Sequence, residues 1–257
     1  MKSLTKQLKA KQQANETIFV PYIMAGAQGL DQLADEIQLL TDAGASAIEL
    51  GIPFSDPVAD GPVIQAAGLR ALENKVTLRK IIQQLKQIKT PTPLVLMTYF
   101  NPVFSYGLET FIQELAETNV LGLIIPDLPY EHQKLLTPLL KESDISLIPL
   151  IALTTPKERI SELAAAGDGF IYAVAVNGVT GVGRNYQEIV DEHLAYIQKV
   201  SDKPVLAGFG VSTKEHVERF RKSCAGVIVG SKIVQLLSEG KQGEVKAFIQ
   251  EAIKNEV

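Results

Sequence analysis

Ala45-Ser46-Ala47-Ile48-Glu49-Leu50-Gly51-Ile52-Pro53-Phe54-Ser55-Asp56-Pro57-Val58-Ala59-Asp60-Gly61-Pro62 is the stretch on which the fold turns. Its first six residues make an apolar run of strand length with one carboxylate near the end. A loop stiffened by three prolines then delivers Asp56 and Asp60. Glycine and proline fix backbone positions, and a merely solvated linker would not need so rigid a path. A strand that ends in an acid, followed by a rigid loop presenting a second acid, can build an acid/base site.

The same alternation runs from end to end. Strand candidates lie at 18–24, 45–50, 93–97, 121–125, 146–151, 169–174, 204–207 and 226–229. Their near-continuous apolar character suits strands buried on both faces of a parallel sheet. Between them, apolar residues at three- and four-residue spacing predict helices at 30–43, 78–88, 108–118, 131–141, 157–166, 186–200, 213–221 and 244–253. Asp31, Thr77, Thr155-Pro156 and Ser212 are the expected helix starts, and Gly44 and Gly167 the expected left-handed ends. Eight strand–helix units in 257 residues predict an α/β chain folded as a (β/α)8 TIM barrel. To these are added an extra N-terminal helix before the first strand and short extra helices at 62–73 after the second strand and at 232–237 after the eighth. With no linker and no shift in composition, residues 1–257 are expected to form a single domain. A doubly wound open sheet is the alternative, but Gly26 to Gly29 does not form the G-x-G-x-x-G fingerprint.

Composition narrows the function. Apolar residues make up 46% of the chain, enough for a globular core, and the net charge of −4 gives no sign of nucleic-acid binding. No run reaches the ~18 apolar residues of a membrane helix, and the lysine-rich start has no secretory apolar stretch. The lone Cys224 excludes an internal disulfide, which suits a reducing, cytoplasmic setting.

In such barrels the active site lies at the C-terminal ends of the strands. Glu49 falls there, on the strand face it shares with Ala47 and opposite to Ile48 and Leu50. Facing the barrel mouth, it would be partly desolvated, with a raised pKa suited to proton transfer. Asp60 would face the same cavity and stay ionised. A structural acid paired with a rim lysine is the alternative for Glu49. Asp56, in the exposed middle of the loop, would face outward as a turn former before Pro57 or as a partner contact. Glycine-rich segments follow the last three strands: Asn177-Gly178-Val179-Thr180-Gly181-Val182-Gly183, Gly208-Phe209-Gly210-Val211-Ser212, and Gly230-Ser231. Backbone N–H groups can approach a phosphate where no Cβ intervenes, so these segments predict a phosphate-bearing ligand. The first of them also reads as a lid with glycine hinges. His132, His193 and His216 lie far apart on helical stretches and give no metal-ligand spacing.

Together these segments resemble the tryptophan synthase alpha-subunit family. The signature is Glu49 to Pro62; Met97-Thr98-Tyr99-Phe100-Asn101-Pro102, Pro126-Asp127-Leu128-Pro129, Gly178-Val179-Thr180-Gly181 and Gly208-Phe209-Gly210 support it. The resemblance covers nearly the whole chain. It implies retro-aldol cleavage of indole-3-glycerol phosphate to indole and glyceraldehyde 3-phosphate, with Glu49 and Asp60 as the catalytic pair. It implies Tyr22, Ile64, Tyr172, Thr180 and Phe209 around the substrate, with Leu96 or Met97 as a further wall. Gly181, Gly210, Gly230 and Ser231 would hold phosphate, and Thr180 would close the lid onto Asp60. It further implies an alpha2-beta2 heterotetramer with a beta subunit that receives indole and carries pyridoxal phosphate, no cofactor or metal in this chain, and a partner surface at Asp56, Pro57 and residues 100–106. Tyr22 stands where phenylalanine is common in the family, and Val176-Asn177 where serine or arginine is frequent. Another phosphate-binding barrel enzyme, or a noncatalytic regulator, are the competing readings; no lysine stands at 47–50 or 170–174 for the former.

Overall fold

The computed structural model describes residues 1–174, 186–208 and 210–254. Nine parallel strand segments form one sheet: β1 (Ile18–Met24), β2 (Ile48–Gly51), β3 (Leu94–Met97), β4 (Val120–Ile124), β5 (Ser146–Leu147), β6 (Leu150–Ala152), β7 (Ile171–Val174), β8 (Val205–Gly208) and β9 (Gly226–Val229). Their order is β5-β4-β3-β2-β1-β9-β8-β7-β6. The predicted fifth strand is thus present in two pieces. Pro149 has no N–H to give to a ladder, and the run breaks at Ile148-Pro149. Pairing continues across the break, because Ile148 N–H bonds to Leu123 O (2.9 Å) on one side and Tyr172 N–H to Pro149 O (3.0 Å) on the other. The two pieces therefore occupy one position in an eight-position ring, and the TIM barrel is closed between the first and last strands, where Ile18 pairs with Gly226.

Proline shapes the ring a second time at β1. The Phe19 and Ala25 N–H groups point toward β2, bonding to Ser46 Oγ and Gly51 O. Alternation puts the missing donor of Pro21 on that same side, and the β1–β2 ladder is confined to Tyr22–Met24, with Tyr22 level with Glu49.

The helix Ser3–Gln13 closes the N-terminal end of the barrel. Leu4 and Leu8 on it are fully buried. Gly122 and Gly169 make room for Leu4: a Cβ there would stand 2.9 and 3.2 Å from its Cδ2. Thr5 Oγ1 accepts the Gly169 N–H at 2.8 Å. Truncating Leu4 to alanine would cost about 2–5 kcal/mol, as buried leucines do.

Most helix expectations hold within a turn. The segments Lys157–Ala166, Tyr186–Val200 and Pro62–Glu73 match at both ends, Pro62 occupying the first helical position where its missing N–H costs nothing. The last of these is a full helix of 12 residues, not a short one. Thr77 caps its helix as expected, accepting from Lys80 N–H. The seventh helix is capped not by Ser212 but by Thr213, whose hydroxyl accepts the His216 N–H. Gly44 is left-handed (φ 97°), whereas Gly167 is extended and Gly169 takes the left-handed turn (φ 76°). The run 131–141 is divided into a 3-10 turn, Tyr130–Leu135, and a short helix, Thr137–Lys141, because Pro138 cannot continue the preceding helix. An unanticipated helix, Phe100–Tyr106, follows β3.

Candidate functional site

A cavity of about 250 Å³ opens at the C-terminal ends of the strands. Strand alternation decides what lines it. Tyr22 and Glu49 are level in β1 and β2 and share the inward face, and Met97, two residues beyond the partner of Glu49 in β3, continues it. Leu96 lies on the other face, so Met97 is the wall residue of the pair. Tyr172 of β7 and Ile228 of β9 complete the floor.

Glu49 is fully buried, and both carboxyl oxygens lack a hydrogen-bond partner among the described residues. Burial, with a lesser contribution from Asp60, pushes its pKa up to about 8. Among the described residues no lysine neutralises it. Asp60 is half-buried at the end of the proline-rich loop. Burial raises it to about 6, opposed by a hydrogen bond from the Tyr99 hydroxyl. Two carboxyls with separated pKa values therefore face one cavity, one protonated and one ionised near neutral pH.

Tyr99 was not singled out from sequence, although its motif was. Its hydroxyl accepts the Ala59 N–H at 3.0 Å and donates to Asp60, and its ring stacks on Phe54 (5.2 Å between centroids, 28° between planes). The phenol thus ties the loop to the end of β3. The next residue, Phe100, opens the unanticipated helix and donates its N–H to Asp127 Oδ1 at 2.8 Å, which gives the Pro126-Asp127-Leu128-Pro129 stretch a structural task.

Two glycines are dictated by aromatic rings. A Cβ at Gly51 would run into the Tyr22 hydroxyl, and one at Gly208 into the Tyr172 ring. Both phenols are buried and their pKa values raised well above the ordinary range, by burial first and then by the two carboxylates.

At the other end of the cavity, Gly210 (φ 76°) carries the chain after β8, and Gly230 and Ser231 open the helix Ser231–Ser238 after β9. Ile64, from the helix Pro62–Glu73, approaches this corner: a Cβ on Gly230 would lie 3.7 Å from its Cδ1. Tyr22, Glu49, Asp60, Ile64, Tyr172, Gly210, Gly230 and Ser231 thus line a single cavity. Thr180, Gly181 and the lid segment 177–185, with Phe209, lie outside the described residues. Asp56 is exposed, held by Ser55 Oγ at 2.6 Å, and together with Pro57 is absent from the cavity lining. His216 also lines the cavity. Its helical position was legible, but its direction depends on the cap at Thr213. Among the described residues no cluster of His, Cys, Asp and Glu could hold a metal ion, and no helix is long and apolar enough to cross a membrane.

A family profile described as tryptophan synthase alpha chain matches residues 8–257. The chain belongs to the tryptophan synthase alpha chain family. Members of this family are lyases that cleave indole-3-glycerol phosphate. The tryptophan synthase alpha chain of Listeria innocua is 54% identical over 256 residues, covering 100% of this chain and 98% of that one. That of Streptococcus thermophilus is 56% identical over 250 residues, covering 96% of each. Among solved structures, M. tuberculosis tryptophan synthase in its aminoacrylate-bound form superposes with a TM-score of 0.88 at 29% identity, covering 98% of both chains. The alpha subunit from Campylobacter jejuni gives 0.84 at 34% identity, covering 92% of this chain and 96% of that one.

Proposed function

We propose that this chain performs the family reaction with Glu49 as proton carrier and Asp60 as charge stabiliser. The observation that carries the assignment is the buried, unpartnered Glu49 carboxyl, raised to about 8, in the same cavity as an acid raised only to about 6. Protonated Glu49 gives its proton to indole C3, which places positive charge on the ring nitrogen. Ionised Asp60 accepts from the indole N–H and stabilises that charge. The Glu49 carboxylate then takes the proton of the glycerol hydroxyl beside the breaking bond, whose electrons return to the ring. Indole and glyceraldehyde 3-phosphate are formed, and Glu49 is protonated again. Tyr22, Ile64, Met97 and Tyr172 enclose the indole, with Phe209 and Thr180 completing the enclosure. Gly181, Gly210, Gly230 and Ser231 hold the phosphate against the N-terminus of the helix Ser231–Ser238.

The same reading places this chain in an alpha2-beta2 assembly in the cytoplasm, as one domain, with pyridoxal phosphate in the beta subunit and no cofactor of its own. Its docking face would be the outer side of the proline-rich loop and the helix Phe100–Tyr106. Val58 is 83% exposed and Phe104 63%, unusual values for large apolar side chains on neighbouring segments.

The test is indole release from indole-3-glycerol phosphate by the purified chain, alone and with a beta subunit. Release is expected in both, and in neither with Glu49→Gln or Asp60→Asn at more than a trace of the native rate. No release from the native chain under either condition would overturn the reading. Phe104→Asp should remove stimulation by the beta subunit and leave the isolated chain's rate unchanged.

A further inference from the structure

The phosphate end of the cavity has a charge problem. Its described lining contains two acids, Glu49 and Asp60, and neither lysine nor arginine. A phosphate ester brings up to two further negative charges. Backbone N–H groups and a helix N-terminus offset roughly half a unit charge. Further donors have to come from neutral side chains, and among the described lining residues His216 is the only one with a side-chain nitrogen.

Its placement follows from the cap. With Thr213 as N-cap, accepting the His216 N–H at 3.3 Å, His216 lies in the first turn of the helix Lys214–Arg221. Helical side chains lean toward the N-terminus, so the imidazole lies back over the loop that follows β8. There its Nδ1 accepts the Ser212 N–H at 3.4 Å. A ring nitrogen that accepts is unprotonated, so the neutral imidazole carries its hydrogen on Nε2, as a donor. His216 is half-buried and lines the same cavity as Gly210, Ser212, Gly230 and Ser231.

We propose that His216 is a phosphate-binding residue, donating from Nε2 to a phosphate oxygen of the substrate. This rests on the reading of the glycine loops as a phosphate cradle and adds to it a side-chain N–H donor. The residue takes no part in proton transfer at indole C3, which happens at the Glu49 end of the cavity.

Calorimetric binding of glycerol 3-phosphate and, separately, of indole to the native chain, His216→Ala and His216→Gln tests it. Loss of a hydrogen bond to a charged group should weaken glycerol 3-phosphate binding to His216→Ala by about tenfold or more. His216→Gln, which keeps an N–H donor in a different geometry, should fall between the two. Indole affinity should stay within about twofold in both, and KM for indole-3-glycerol phosphate should rise with little change in kcat. Undiminished glycerol 3-phosphate affinity in His216→Ala would overturn the inference, as would an equal loss of indole affinity, which would mark general damage to the cavity. If the native chain itself binds indole but no glycerol 3-phosphate, it is the cradle reading that fails, and this arm contains no substitution.

Discussion

Replacing Glu49 by glutamine should make the protein more stable, increasingly so as pH rises, while it stops making indole. The ordinary carboxyl value of 4.5 is raised to about 8 in the fold by full burial. A group whose folded pKa is raised contributes its full share to stability below the unfolded value and loses it as pH climbs through the folded one. Each unit is worth about 1.4 kcal/mol, so keeping this carboxyl buried costs under about 1 kcal/mol at pH 5, about 3 kcal/mol at pH 7 and about 4 kcal/mol at pH 8. Glutamine has nearly the same shape and nothing to ionise. The difference between variant and native chain should thus grow by about 3 kcal/mol from pH 5 to pH 8, a gain in melting temperature on the order of 6–12 °C for a chain of this size. Other titrating groups are common to both proteins and largely cancel. Thermal melts and urea titrations of both proteins at pH 5, 7 and 8 would measure it. A stability difference that does not change with pH would refute the claim that Glu49 is held as a buried acid. Stability surrendered at a working site is a common arrangement.

Three further outcomes follow from the same geometry. The kcat/KM for indole release should rise as pH passes about 6, where Asp60 loses its proton, and fall as pH passes about 8, where Glu49 loses its own; a flat profile between pH 5 and 9, values spanning roughly the two limbs, would contradict the split. Tyr99→Phe removes the donor that lowers the Asp60 pKa and the acceptor of the Ala59 N–H, so kcat should drop about tenfold and the acidic limb move to higher pH, a shift that simple loosening of the loop would not produce. Gly51→Ala forces the Tyr22 ring from its place; titration should show indole binding weakened by at least about tenfold and glycerol 3-phosphate binding little changed.

Where the sequence was legible, one physical signal sufficed. The eight apolar runs could be read because strands buried on both faces have no polar positions to blur them, as in Leu94–Met97 and Gly226–Val229. Glu49 stood out because it breaks such a run. What stayed hidden depended on two signals competing, or on geometry between distant segments. Pro149 interrupts a run without changing its hydropathy. Phe100–Tyr106 is one short helix with Pro102 inside its first turn, which reads as a loop. Ser212 and Thr213 are both good caps, and only the folded backbone chooses between them. That choice aims His216. Tyr99 matters through a loop 40 residues away, and no local pattern reports such a contact.

The seam between β1 and β9 bears on how the molecule is made. The first strand emerges from the ribosome early, but one of its two neighbours is synthesised about 200 residues later, a delay of roughly 10–40 s at ordinary elongation rates. Through that interval the N–H groups facing β9, beginning with Ile18, have no ladder to join, and a bare parallel edge is a template for pairing with another chain. A nascent barrel of this kind is exposed to aggregation until its final strand arrives. Chains that stop short of Gly226 would therefore lose more than a terminal segment, since they would leave the oldest strand permanently unpaired on one side.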